Sequence, residues 1–223
     1  MLLKRAILTS HHPVASYIRG MYYMNVLRKI GPACEPDLLA LRNVVHPGAR
    51  CFDVGANIGV YTKELSALAG PTGRVKAFEP VQETFAALSS NVRRLGLRNV
   101  EVYNLAISDR HGRVSMSVPI REDGLPNLYR AEICEGQAVE CAPLNSLIEP
   151  VDFIKIDVEG HEFEVLKGAT ELLRSYRPSL LVETQQQSVF SFLADLGYSA
   201  YVAQAGMLRR HSGEEAINYF FLA

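Results

Sequence analysis

The sequence predicts an α/β domain with a parallel, doubly wound sheet, preceded by a helical extension. Three observations carry this reading. From residue 50 onward, short apolar strands alternate with helix-length amphipathic stretches, the pattern of a parallel sheet covered on both faces. The first strand runs into a glycine turn that opens a helix, "CFDVGANIGVYTKEL". Residues 1–45 carry no strand pattern and read as helical, with breaks at Pro13, Pro32 and Pro36. The expected division is therefore a helical extension or lid over 1–45 and one α/β domain over 46–223.

Each element has its own signal. "RCFDVG" is a short apolar strand, and "GVYTKELSALAG" is a helix stopped by Gly70-Pro71. "GRVKAFEP" is the second strand, followed by the amphipathic helix "VQETFAALSSNVRRLGL". "NVEVYNLAIS" reads as a third strand. Residues 115–143 read as irregular, because Gly124, Pro126, Gly136 and Pro143 punctuate them; long excursions of this kind are usually functional. "VDFIKIDVEG" is the fourth strand and "HEFEVLKGATELLRSY" its helix, ended by Arg177-Pro178. "SLLVET" is the fifth strand and "SVFSFLADLGY" a further helix. "SAYVAQ" and "INYFFLA" close the sheet and are near enough in sequence to pair antiparallel.

The totals narrow the function classes. With 223 residues, 48% apolar and 21% charged, the chain suits one folded domain with a full core. A formal charge of -1 gives no bulk field for nucleic acid. No apolar run approaches the length of a membrane span, and His11, His12 and Pro13 interrupt "MLLKRAIL" too early for a signal peptide. Cys34, Cys51, Cys134 and Cys141 form no CxxC pair. They read as reduced thiols in a cytoplasmic protein. The stretch "SYIRGMYYMNVLRKI" reads as packing or a lid, and an apolar face there would allow a homodimer.

In open α/β sheets, ligands bind outside the carboxyl ends of the strands. The glycine turn lies there. Gly55 and Gly59 let the backbone approach a ligand, and Asn57 tolerates unusual dihedrals. Glu79 ends the next strand, where a carboxylate can accept both ribose hydroxyl hydrogen bonds. The turn G-A-N-I-G is not the GxGxxG of a nicotinamide site. Asp53, inside the strand, suits a cationic ligand. Together these favour S-adenosylmethionine over a pyrophosphate-bearing cofactor. A nicotinamide oxidoreductase and a non-catalytic scaffold on the same fold are the alternative readings.

"DVGANIGVYT", "AFEPVQETFAALSSNV", "NLAISDRHG", "DFIKIDVEGHEFEVLKGA" and "RPSLLVE" closely resemble the FkbM family of S-adenosylmethionine-dependent methyltransferases, in the family's order. The resemblance implies a class I methyltransferase fold, Rossmann-like, with seven strands and the last antiparallel. It implies methylation, usually on oxygen, of a hydroxyl on a sugar, polyketide or other small-molecule acceptor. Carried over by position, Asp53, Gly55, Ala56, Asn57 and Gly59 would line the methionine end. Tyr61 and Thr62 would reach its carboxylate. Glu79 would hold the ribose, beside Pro80, and Ala106, Ile107 and Ser108 would flank the adenine. Asp157 would sit near the transferred methyl. Asn145 stands where relatives carry an acid.

An aliphatic hydroxyl needs a base or a metal to act as a nucleophile. The candidates are Asp157 and Glu183, which end neighbouring strands, and His161, whose ordinary pKa suits proton acceptance near neutrality. Asp157 and Glu183 are also candidate ligands for Mg²⁺. Glu159 reads as a residue of the helix start. Lys155 alternates with Asp157 and is expected to pair with a carboxylate. Glu162 and Glu164 are expected at the surface or paired along the helix.

Overall fold

The structure, a computed structural model, describes residues 21, 23–31, 35, 37–117, 132–133, 137–147 and 149–223. The main sheet contains β1 (Arg50–Val54), β2 (Arg74–Phe78), β3 (Val100–Tyr103), β8 (Phe153–Ile156), β9 (Ser179–Glu183), β10 (Ser199–Gln204), β11 (Met207–Arg210) and β12 (Asn218–Leu222). Its order is β11-β10-β12-β9-β8-β1-β2-β3. The strands from β3 to β9 run parallel, and β12 inserts antiparallel between β9 and β10. The last strand is thus antiparallel, as expected. The sheet has eight strands rather than seven, because a hairpin adds β11 at the edge beyond β10.

From residue 37 onward, the α-helices among the described residues are α1 (Asp37–Ala40), α2 (Val60–Ala69), α3 (Gln82–Leu95), α4 (Glu162–Lys167), α5 (Thr170–Tyr176) and α6 (Gln187–Asp195). The central strands explain the arrangement. Every residue of β8 is buried, and so are the last four of β1, so both faces need cover. On one face Phe52, Ile154, Ile156 and Val182 pack with Val165, Leu166, Leu173 and Leu193 from α4 to α6. On the other, Cys51, Phe153, Leu181 and Phe220 pack with Leu65 and Ala69 of α2 and Leu38 of α1. Cys51 and Cys141 are buried free thiols. Among the described residues, no helix is long and apolar enough to cross a membrane.

Three segments depart from the sequence reading. The third strand does not run through Ile107. It ends at Tyr103, because Asn104 Nδ2 donates to the carbonyls of Glu79 and Pro80, both at 2.9 Å, and turns the chain away. The residues read as irregular include part of a second sheet, β4-β7-β5-β6, made of Ala106–Ile107, Gln137–Ala142, Gly112–Ser117 and Glu132–Ile133. Gly124, Pro126 and Gly136 lie outside the described residues. The helix expected over 161–176 is two helices, because Gly168 presses against another chain segment. A Cβ there would lie 2.0 Å from the Ser108 carbonyl oxygen. Asn145 Oδ1 accepts from the Leu172 N–H at 3.1 Å, so it caps α5; an acid would do the same. Of the extension, residues 23–29 are helical, while Pro13, Pro32, Pro36, His11 and His12 fall outside the described residues.

Candidate functional site

The carboxyl ends of β1, β2, β8 and β9 converge on one crevice. The turn after β1 fits there only with glycine. Gly55 has φ +76, and a Cβ on it would sit 1.7 Å from the Asp157 carbonyl oxygen. The amides of Gly55 and Ala56 both donate to the Phe78 carbonyl, at 3.0 and 2.9 Å. Asn57 and Gly59 are also left-handed, with φ 50 and 98. Gly59 caps α2 without a side-chain hydrogen bond, and the Thr62 backbone amide of the first turn interacts with Asp53.

Glu79 is almost fully buried. Its Oε2 accepts from the Asn57 N–H and its Oε1 from the Val81 N–H, both at 2.9 Å. Burial nevertheless pushes its carboxyl up to about 7. One side chain therefore joins the turns following β1 and β2, with lone pairs left for a further donor.

Asp53 is completely buried. Its Oδ2 accepts from Thr62 Oγ1 at 2.5 Å, and Oδ1 lies 3.9 Å from Lys155 Nζ. Lys155 is the register partner of Asp53 on β8, so the two share a face. Its ammonium also donates to Asp157 Oδ2 at 2.9 Å and to the Gly55 carbonyl at 3.3 Å. It lies 5.0 Å from the centre of the Tyr61 ring. Burial alone would lower the Lys155 pKa, but Asp157 and Asp53 outweigh it and hold it above the ordinary lysine value. This buried cation on an otherwise apolar strand staples the ends of β1 and β8. The expected pairing of Lys155 is present, with two carboxylates rather than one. Thr62 is fully enclosed against Asp53, and the Tyr61 hydroxyl is buried with no hydrogen-bond partner among the described residues.

Glu183 ends β9 beside Asp157. Burial, followed by the Asp157 charge, pushes its carboxyl up to about 7. Mg²⁺ needs several oxygen ligands. Here the Lys155 ammonium already takes Asp157 Oδ2, and among the described residues no group of three or more His, Cys, Asp or Glu is arranged to hold a metal ion. The donor set does not fit Mg²⁺.

A second cluster lies under the small sheet. Ala106 and Ile107 are buried in β4, paired with Cys141 and Ala142 of β7. Ser108 is fully buried, and its Oγ lies 2.9 Å from His161 Nε2. His161 Nδ1 is 3.6 Å from Glu164 Oε2, and burial holds the imidazole below its ordinary pKa. Pro80 is half-buried, its carbonyl tied to Asn104.

Sequence reasoning misplaced two acids. Glu162 is buried rather than surface-facing: Oε1 accepts from the amides of Gly160 at 2.9 Å and Val158 at 3.3 Å, and Oε2 from Gln186 Nε2 at 2.9 Å. Glu159 lies in the turn before α4 with φ 52, not in the helix. Glu35 and Asp37 were not singled out from sequence; their signal is position alone, just ahead of the first strand.

The FkbM methyltransferase domain matches residues 53–200. Hexuronic acid methyltransferase AglP of Haloferax volcanii is 31% identical over 130 residues, covering 56% of this chain and 51% of that protein. AMB antimetabolite synthetase AmbE of Pseudomonas aeruginosa is 28% identical over 218 residues, covering 78% of this chain and 10% of that protein. The chain thus spans about half the length of the first relative and a tenth of the second. A methyltransferase FkbM from Methylobacillus flagellatus superposes with TM-score 0.56 at 17% identity, over 94% of this chain and 60% of that one. An S-adenosylmethionine-dependent O-methyltransferase from Thermotoga maritima gives 0.51 at 17% identity, over 86% and 65%. At these identities the structural likeness carries the fold alone.

Proposed function

Because the chain belongs to the FkbM methyltransferase family, we propose that it transfers a methyl group from S-adenosylmethionine to oxygen, on a hydroxyl of a sugar or another small metabolite. The observation that carries the cofactor reading is Glu79, locked by two backbone amides beneath the Gly55–Gly59 turn. A fixed carboxylate at the end of the second strand suits a ribose diol, and the turn has no glycine pair for a pyrophosphate. The uncapped start of α2 at Val60 and Tyr61 suits the amino acid carboxylate. Ala106 and Ile107 supply apolar residues on the adenine side, with Ser108 enclosed behind them on His161.

The cofactor would supply a methyl group already activated on a sulfonium. The chain's own work is then positioning and proton handling. Asp157, fixed by Lys155, orients the acceptor hydroxyl. Glu183 takes its proton: a carboxyl near 7 is matched to that task at neutral pH. His161 has both ring nitrogens beside partners, Ser108 and Glu164, which favours a role in fixing Ser108 over a role as base. The hexuronic acid methyltransferase supports a sugar among the acceptors. Buried free thiols at Cys51 and Cys141 support a reducing, cytoplasmic setting.

Parallel thermal-shift titrations with S-adenosylhomocysteine and NAD⁺ test this. At about 100 times its Kd, the bound ligand stabilises the fold by about 2.7 kcal/mol. Stabilisation by S-adenosylhomocysteine alone is expected. A shift with NAD⁺ alone would make the protein a nicotinamide enzyme on this sheet.

A further inference from the structure

The segment ahead of the first strand is tied down on both sides of the crevice. On one side, Tyr23 and Leu27 pack against Ile58 and Ala87, and Lys63 Nζ donates to the carbonyls of Leu27 and Ile30 at 3.3 and 3.4 Å. On the other, Asp37 Oδ2 accepts from Asn218 Nδ2 at 2.8 Å, and Asn218 is the register partner of Glu183. Glu35 stands between these ties, which hold Ile30 beside the start of α2 and Asp37 beside the carboxyl end of β9. Its amide donates to the Gly31 carbonyl at 2.9 Å, and its own carbonyl accepts from Leu38 at 3.1 Å. Its carboxylate is half-buried and interacts electrostatically with Asp37, Lys155 and Asp157.

Charge decides what this carboxylate is for. Asp53 is held by Thr62 and Lys155, and Asp157 by Lys155. Glu35 and Glu183 interact with the same ammonium, so among the described residues carboxylates outnumber the one ammonium, Lys155, that interacts with all of them. Crowded, desolvated carboxylates gain most from a second cation. The methionine end of S-adenosylmethionine carries an α-ammonium.

We propose that Glu35 is a cofactor-binding residue, whose carboxylate accepts a hydrogen bond from the α-ammonium of the cofactor's amino acid end. The proposal rests on the S-adenosylmethionine reading above. It adds Glu35, ahead of the first strand, to the residues of the cofactor site. Burial raises the Glu35 carboxyl in the free protein, and an ammonium beside it reverses that cost.

Two probes separate the possibilities by calorimetry. S-adenosylhomocysteine carries the amino acid end; 5′-methylthioadenosine has the same nucleoside without it. Glu35→Gln keeps the shape and removes the charge. It is expected to weaken S-adenosylhomocysteine by roughly 10- to 100-fold, the scale of one charged hydrogen bond, and to leave 5′-methylthioadenosine within about twofold. Glu35→Ala should repeat the pattern, with thermal unfolding confirming that both variants are folded. Equal weakening of both probes would make Glu35 a purely structural residue and overturn the proposal. Unchanged binding of both would also overturn it. If the unmodified chain binds neither probe, the cofactor reading itself fails, whatever Glu35 does.

Discussion

Two turns carry the chain from the adjacent parallel strands β1 and β8 into their helices. Each contains left-handed residues: Gly55, Asn57 and Gly59 in the first, Glu159 and Gly160 in the second. Each is also held by a buried glutamate that accepts two backbone amides, Glu79 in one case and Glu162 in the other. The difference lies in where the glutamate comes from. Glu162 reaches back from its own helix, and its second oxygen is taken by Gln186. That clamp is local and complete. Glu79 reaches in from a neighbouring strand, joins two turns, and retains acceptor capacity at the strand ends. The same device thus fixes a loop in one place and presents a ligand site in the other.

Substituting the two glycines would break the comparison most sharply. Gly55→Ala drives a Cβ into the Asp157 carbonyl and should cost about 3 kcal/mol or more in a urea melt. Gly160→Ala meets nothing within 4 Å. It should cost only its left-handed strain, about 1 kcal/mol. Similar losses at both positions would mean that the turns are under the same constraint.

The glutamates sharpen the contrast. Glu162→Ala leaves two amides without their acceptor and should lower stability by about 2 kcal/mol, while S-adenosylhomocysteine affinity stays within about threefold. Glu79→Ala should lower stability similarly and also weaken S-adenosylhomocysteine by roughly 100-fold, the sum of two lost charged hydrogen bonds. Calorimetry on the two variants separates clamp from ligand site.

A smaller effect appears with pH. The folded Glu79 carboxyl, near 7, lies above its unfolded value of 4.5. The native state therefore holds the extra proton between these values, and its stability falls as pH rises through that window. Glu79→Gln should flatten this slope in unfolding curves taken between pH 5 and 8. An unchanged slope would assign the titration elsewhere, with Glu183 the next group. Smallest of all, Asn145→Ala should cost about 1 kcal/mol as a lost helix cap, with Asn145→Asp near neutral.

The legible parts of the molecule were those set by strand ends and glycines. Asp53, Gly55, Asn57, Gly59, Glu79 and Asp157 follow from strand-turn-helix spacing, because a parallel sheet fixes where its carboxyl edge lies. Lys155 was legible through its alternation with Asp157. Glu162 was not, because helical spacing places a first-turn acid at the surface and gives no sign that it can fold back onto its own turn. The break at Gly168 was hidden because the pressure on it comes from Ser108, 60 residues away in sequence. The small sheet escaped for a similar reason: Gly112–Ser117 and Gln137–Ala142 are short, and their pairing is settled by each other rather than by a long apolar pattern. Glu35 became meaningful only when the segments on either side of it were tied across the sheet.

The added edge strand has a consequence far from this chemistry. Ala205 and Gly206, both left-handed, make the two-residue turn that lays β11 along β10. Leu39 packs on Gly206, and Asn43 Nδ2 donates to its carbonyl at 2.8 Å. An open strand edge invites another copy of the chain to add on, and guanidinium groups along it are a known deterrent. Here the outermost strand is four residues long and ends in exposed Arg209 and Arg210. At this edge of the sheet, opposite the one formed by β3, resistance to fibril-like stacking at high concentration is therefore concentrated in one short hairpin.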